Sequence, residues 1–81
     1  MITTILDINI IDDMFILETT HGTFSCNVIK GSIDCVIMDN NNKILPLSCL
    51  DIGNTIKLKL DNNIIKKIYI NTKYIILSDS E

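Results

Sequence analysis

The sequence predicts an all-β domain: a small closed or partly open barrel of about six to eight short antiparallel strands, with at most one short helical turn. Three observations predict it. Eighteen of the 81 residues are isoleucine, while alanine, glutamine, arginine and tryptophan are absent and glutamate occurs only at Glu18 and Glu81. Most strong helix formers are therefore missing, and isoleucine, stiff at its branched Cβ, suits a pleated sheet. Apolar residues also recur with a period close to two. Finally, clusters of Asn, Asp and Gly divide the chain at intervals of about 8–12 residues.

The elements follow in chain order. In "TILDINII", Leu6, Ile8 and Ile10 share one face, with Asp7 and Asn9 on the other. Asp12-Asp13 breaks the run before "MFILETT". Thr20-His21-Gly22-Thr23 reads as a tight hairpin, because Gly22 takes positive φ readily and His21 tolerates it. "TFSCNVI" points Phe24, Cys26 and Val28 inward. After a turn at Lys30-Gly31, "SIDCVIM" places Ile33, Cys35 and Ile37 on one face. Asp39-Asn40-Asn41-Asn42 is the strongest turn signal. "KILPL" reads as a short edge strand, because Pro46 has no N–H to give a ladder. "SCLDIG" reads as one helical turn capped by Ser48 and stopped by Gly53. "TIKLKL" sends Ile56, Leu58 and Leu60 inward and Lys57 and Lys59 outward. Asp61-Asn62-Asn63 turns the chain into "IIKKIYIN", where Lys66-Lys67 interrupts the alternation and predicts a bulge. "KYIIL" supplies the last strand. Residues 1–77 read as one domain and 78–81 as a short acidic polar tail. Ile11, Ile65, Ile75 and Leu77 fall off the inward register. A contiguous patch of such residues would mark a partner surface.

The run "LDIGNTIKLKL" resembles the entry to a late strand in OB-fold and SH3-like barrels, where a Leu, a Gly and usually an Asp precede an alternating strand. Leu50 and Gly53 fit that pattern, and Asn54 stands in the place of the acid. The resemblance covers about a dozen residues. It implies a small barrel whose relatives bind nucleic acids, sugars, ions or proteins, and fold alone does not choose among these. The composition, one third isoleucine plus asparagine, resembles that of proteins from AT-rich genomes, including protists, low-GC bacteria and large DNA viruses.

Charge is uneven along the chain. Residues 1–56 carry seven acids against two lysines, a net −5, whereas residues 57–73 carry five lysines against Asp61, a net +4. The apolar runs are far shorter than the ~18–20 residues of a membrane-spanning helix. The N-terminus lacks a signal peptide's basic start and small-residue cleavage site. Three cysteines without paired spacing do not suggest a disulfide framework. The expectation is an intracellular protein, cytoplasmic or nuclear, with no membrane partner and reduced thiols.

The lysines carry the one lead toward a site. Lys57 and Lys59 project to one side of their strand, Lys66 or Lys67 can lie opposite them, and Lys73 follows. Together they would neutralise several phosphates or meet an acidic partner, with Tyr69 or Tyr74 as a stacking platform for single-stranded nucleic acid. Against this, the chain has no arginine for bidentate recognition and is acidic overall. Exposed strand lysines also serve simply to prevent edge-to-edge aggregation. His21, Cys26, Cys35 and Cys49 form a Cys₃His inventory, but their wide spacing is not that of a zinc site. The acids show no pairing suited to general acid–base catalysis, and the three isolated glycines form no phosphate loop. Ser78 and Ser80, each followed by an acid, fit an acid-directed kinase. The expected function is therefore non-enzymatic and cofactor-free: a binding or assembly module for a protein partner or for itself. A nucleic-acid-binding module is the alternative.

Overall fold

The computed structural model describes residues 1–39 and 41–70. Seven strands follow one another: β1 (Ile2–Ile11), β2 (Met14–Thr19), β3 (Gly22–Ile29), β4 (Ser32–Ile33), β5 (Val36–Met38), β6 (Thr55–Asp61) and β7 (Ile64–Tyr69). The only helical element among the described residues is a 3₁₀ turn, Leu47–Cys49. The all-β expectation holds.

The strands form one sheet in the order β4-β3-β2-β1-β6-β7-β5, and a further contact between β3 and β7 bends it into a partial ring. Most neighbours are antiparallel. The β3–β7 closure at Ser25 and Ile64 and the β5–β7 pairing are parallel. Ile5, Phe15, Leu17, Cys26, Ile56, Leu58, Ile65 and Ile68 fill the interior, with Phe24, Ile37 and Leu50 at its margin. Branched or aromatic side chains at alternate positions produce this core.

Two bulges set the curvature. On β7, Lys66 has no partner, because Lys59 faces Lys67 and Leu60 faces Ile65. This is the bulge predicted from Lys66-Lys67. By shifting the register it turns Ile65 inward, where it is fully buried, against the expectation that Ile65 falls off the inward face. On β1, Ile5 faces Thr19 and Asp7 faces Glu18, so Leu6 is the extra residue. Leu6 is therefore about half exposed instead of inward. Ile8 and Ile10 do share the inner face, opposite Leu17 and Phe15. Ile10 nonetheless lies past the end of the core and is 54 % exposed.

Three connections are two-residue turns with both central residues at positive φ, the pattern whose twist matches the flanking strands. They are Asp12-Asp13, Lys30-Gly31 and Asn62-Asn63. In the β2–β3 hairpin it is Gly22, at φ 130°, and not His21, that takes positive φ.

The segment between β3 and β6 departs most from expectation. "SIDCVIM" splits into β4 and β5 around Asp34-Cys35. "KILPL" forms no strand; Ile44 alone bridges to Met38. Pro46 instead precedes the 3₁₀ turn, where its fixed φ and missing N–H cost nothing. Ser48 lies inside that turn and caps nothing. The turn ends at Leu50 in extended backbone, three residues before Gly53, which takes the expected positive φ of 93° but does not stop the turn. Asp39 organises the preceding loop, its Oδ1 accepting from the N–H groups of Asn41 (2.8 Å) and Lys43 (2.9 Å). "KYIIL" lies outside the described residues, as do Ile75 and Leu77.

Candidate functional site

The β6–β7 hairpin brings the lysines together. Lys57 lies directly opposite Tyr69, and Lys59 directly opposite Lys67, all four on the outer face. Ile56, Leu58 and Ile68 alternate with them and point into the core. Lys59 is exposed, while Lys57, Lys67 and Tyr69 are half-buried. Lys66, thrown out by the bulge, is exposed but belongs to no cross-strand pair. Of the expected group, Lys57, Lys59, Lys67 and Tyr69 therefore share a face and Lys66 flanks it. Lys73, Tyr74, Ser78 and Ser80 lie outside the described residues. The outer row continues onto β5, where Val36 lies beside Lys67 and Met38 beside Tyr69.

The opposite charge gathers on the β1–β2 hairpin. Asp7 lies directly opposite Glu18, and Asp12-Asp13 forms the turn. The Asp7 carboxylate accepts hydrogen bonds from the Ile8 N–H and from Asn9 Nδ2, both at 3.0 Å. Around these acids stands apolar surface: Leu6, Ile10 and Ile11 are about half exposed, and Ile52 is 64 % exposed. The Gly53 N–H donates to the Ile5 carbonyl at 2.8 Å, so Ile52 and Leu6 flank one backbone bond.

This surface borders a strand edge that no described strand covers. β6 pairs with β1 only along Ile2–Thr4. The bonds from Ile5 to Asn54 and Gly53 end the contact. Among the described residues, no strand pairs with that side of β1 from Leu6 to Ile11. Sequence reasoning missed both the edge and the Leu6 bulge that precedes it. Adjacent apolar residues, Ile5-Leu6, break the alternation there much as Lys66-Lys67 does on β7, so the signal was present.

The histidine and cysteines are engaged internally. Thr3 Oγ1, buried, lies 2.9 Å from His21 Nδ1 and 3.1 Å from Thr20 Oγ1. Thr19 Oγ1 donates to the Gly22 carbonyl and accepts from the His21 N–H. These bonds tie the β2–β3 turn to the start of β1. The Cys26 and Cys35 thiols are close enough to hydrogen-bond. Burial pushes the Cys26 thiol up, and the bond from Cys35 offsets part of that shift. Burial, reinforced by Cys26, pushes Cys35 up to about 12. Both therefore stay protonated near neutrality and behave as small apolar groups. Among the described residues no cluster of His, Cys, Asp and Glu is arranged to hold a metal ion, and no helix is long and apolar enough to cross a membrane.

Comparison with known proteins returns no matching family model, no matching curated protein and no matching solved structure.

Proposed function

We propose that this protein is a non-enzymatic binding and assembly module that meets a protein partner, or a second copy of itself, through the surface around the open edge of β1. The observation that carries this reading is the coincidence of two features. A run of strand edge that no described strand pairs with carries exposed Leu6, Ile10 and Ile11 along it, with exposed Ile52 beside its start. An apolar strand edge left without lysine or proline is the standard substrate for strand addition. The strand order favours an OB-type barrel over an SH3-like one. The ring runs β1-β2-β3-β7-β6 and closes through parallel strands, with the 3₁₀ segment in the connection that usually carries a helix in OB folds.

The test is light scattering and sedimentation of the wild type over a range of concentrations. Alongside it, proteins are captured from the native source with the wild type and with an Ile10→Lys/Ile11→Lys double variant. The reading expects self-association, or a partner held by the wild type and released by the variant. A monomer whose captured proteins are the same for both chains would sink it.

A second reading, single-stranded nucleic acid on the β6–β7 face, is favoured by one observation: Lys57, Lys59, Lys67 and Tyr69 form direct cross-strand neighbours. Against it, the β2–β3 face, where OB folds hold oligonucleotides, carries Glu18 and Thr23 and no cation. Gel shifts at two salt concentrations separate the readings. Binding through this face would weaken with a log–log salt slope of about −0.7 per phosphate neutralised, and Lys59→Glu/Lys67→Glu would abolish it. No binding at low salt removes the reading.

A further inference from the structure

The edge of β1 that no described strand covers has hydrogen-bonding groups in known positions. Ile11 and Met14 flank a two-residue turn, so they exchange both backbone bonds. Bonded and non-bonded pairs alternate from there. Asn9 bonds to Ile16, whereas Ile8 and Ile10 face Leu17 and Phe15 without bonding to them. The N–H and C=O groups of Ile8 and Ile10 therefore point away from β2, into the open edge. One bond confirms this direction independently: the Ile8 N–H is taken by the Asp7 carboxylate rather than by β2.

Resting on the assembly reading above, we propose that the occupant of this edge is a second copy of the chain. Two β1 strands pair antiparallel about a two-fold axis at Asn9. The sequence Asp7-Ile8-Asn9-Ile10-Ile11 is self-complementary in that register. Ile8 faces the partner's Ile10, Asn9 faces the partner's Asn9, and Asp7 faces the partner's Ile11. Ile8 and the partner's Ile10 then exchange two backbone bonds, and symmetry supplies two more. The Ile8 N–H trades the Asp7 carboxylate for a carbonyl of the partner. The half-exposed Ile10 of each copy joins Ile8 in a row of four isoleucines that continues the inner face of both sheets, which is the pattern of an isologous interface.

Charge selects this register over its neighbours. Centred on Asn9, the two Asp7 residues stand four residues apart along the strands, about 13 Å, beyond the screening length of about 8 Å at physiological salt. Centred on Ile8, they would stand only about 7 Å apart. Centred on Ile10, only residues 9–11 of each copy would pair.

Cysteine cross-linking tests the register and proline tests the edge. A non-bonded antiparallel pair holds its Cα atoms about 4.5 Å apart, within disulfide range. An Asn9→Cys variant should therefore give a covalent dimer under mild oxidation. Ile11→Cys, on the same face but displaced from its own copy by about 13 Å, should not, and neither should the wild type. Ile10→Pro removes an edge N–H while leaving the β1–β2 bonds intact, and should weaken the dimer about tenfold or more. Its circular dichroism should stay that of the wild type. A wild-type dimer that cross-links equally at 9 and 11, or that survives Ile10→Pro, overturns the proposal and leaves assembly through another surface. A wild-type monomer also overturns it. In that case capture of a partner sensitive to Ile10→Lys/Ile11→Lys would keep the broader reading.

Discussion

The β1–β2 and β6–β7 hairpins are built on one plan and charged with opposite signs. Each closes with a two-residue turn whose central residues both take positive φ, Asp12-Asp13 in one and Asn62-Asn63 in the other. Each has one bulge, at Leu6 and at Lys66. Each sets two like charges directly opposite one another on its outer face, Asp7 with Glu18 and Lys59 with Lys67. The turns and bulges give the twist and bend that closing a short sheet requires. What differs is what each bulge exposes and what lies alongside. The β6–β7 hairpin displays a lysine at its bulge and is flanked by β1 on one side and by β5 and β3 on the other. The β1–β2 hairpin displays a leucine, and the side of β1 away from β2 pairs with no described strand from Leu6 to Ile11. Exposed Leu6, Ile10 and Ile11 lie along that stretch of β1, and Ile52 lies beside its start, whereas the β6–β7 hairpin exposes only Ile64 among its large apolar side chains.

The largest effect expected from breaking this comparison lies beneath the charges. If both hairpins support one core, truncating either should be comparably severe. Phe15→Ala in β2 should cost about 3–5 kcal/mol and Ile68→Ala in β7 about 2–5 kcal/mol, since both side chains are fully buried. Urea unfolding followed by circular dichroism measures both. In so small a domain either loss approaches the whole stability. A cost below about 1 kcal/mol at one site alone would mean that its hairpin is an appendage to a core made by the other.

Much of this plan was legible in the residues. Ile56 and Leu58 are inward and Lys59 outward because strict alternation leaves no other choice on a half-buried strand. Lys66-Lys67 announced its bulge, because two adjacent charges cannot both face outward from a regular strand. Gly53 announced its positive φ. Between Asp34 and Ile52 the inward Ile37 and the turn at Asp39 were legible, but the break at Asp34-Cys35 and the course from Ile44 to Leu50 were not. The apolar residues there, Cys35, Leu45, Leu47 and Leu50, pack against the core from irregular backbone, and irregular backbone has no period to read. The ring closure was equally hidden, since the parallel contact between Ser25 and Ile64 joins residues far apart in the chain. The lysine face was half legible: alternation aligned Lys57 with Lys59, but only the bulge decided that Lys67 and not Lys66 would join them.

A smaller effect sharpens the comparison of charge. Opposed like charges on neighbouring strands are destabilising, and opposite charges contribute roughly 0.2–1 kcal/mol. Glu18→Lys, facing Asp7, and Lys67→Glu, facing Lys59, should each stabilise the fold by about that amount. Both gains should shrink in high salt. Equal gains from opposite substitutions would show that each hairpin gives up stability to keep one sign of charge on its face. A loss on Lys67→Glu would show that the lysine's stem, half-buried beside Val36, matters more than its charge.

The smallest effect separates the two turns. The second central residue is Asp13 at φ 64° in one and Asn63 at φ 66° in the other, nearly the same backbone. Glycine relieves the left-handed strain at that position but loses more entropy on folding, so Asn63→Gly should change stability by only a few tenths of a kcal/mol. Asp13→Gly relieves the same strain and also removes a carboxylate beside Asp12 in a hairpin with no lysine of its own. It should therefore stabilise more than Asn63→Gly at low salt and converge with it at high salt. Paired denaturation curves at the two ionic strengths read the difference directly. If the two glycine variants behave alike at both, repulsion in the acidic turn contributes nothing, and the hairpins differ in charge without differing in electrostatic strain.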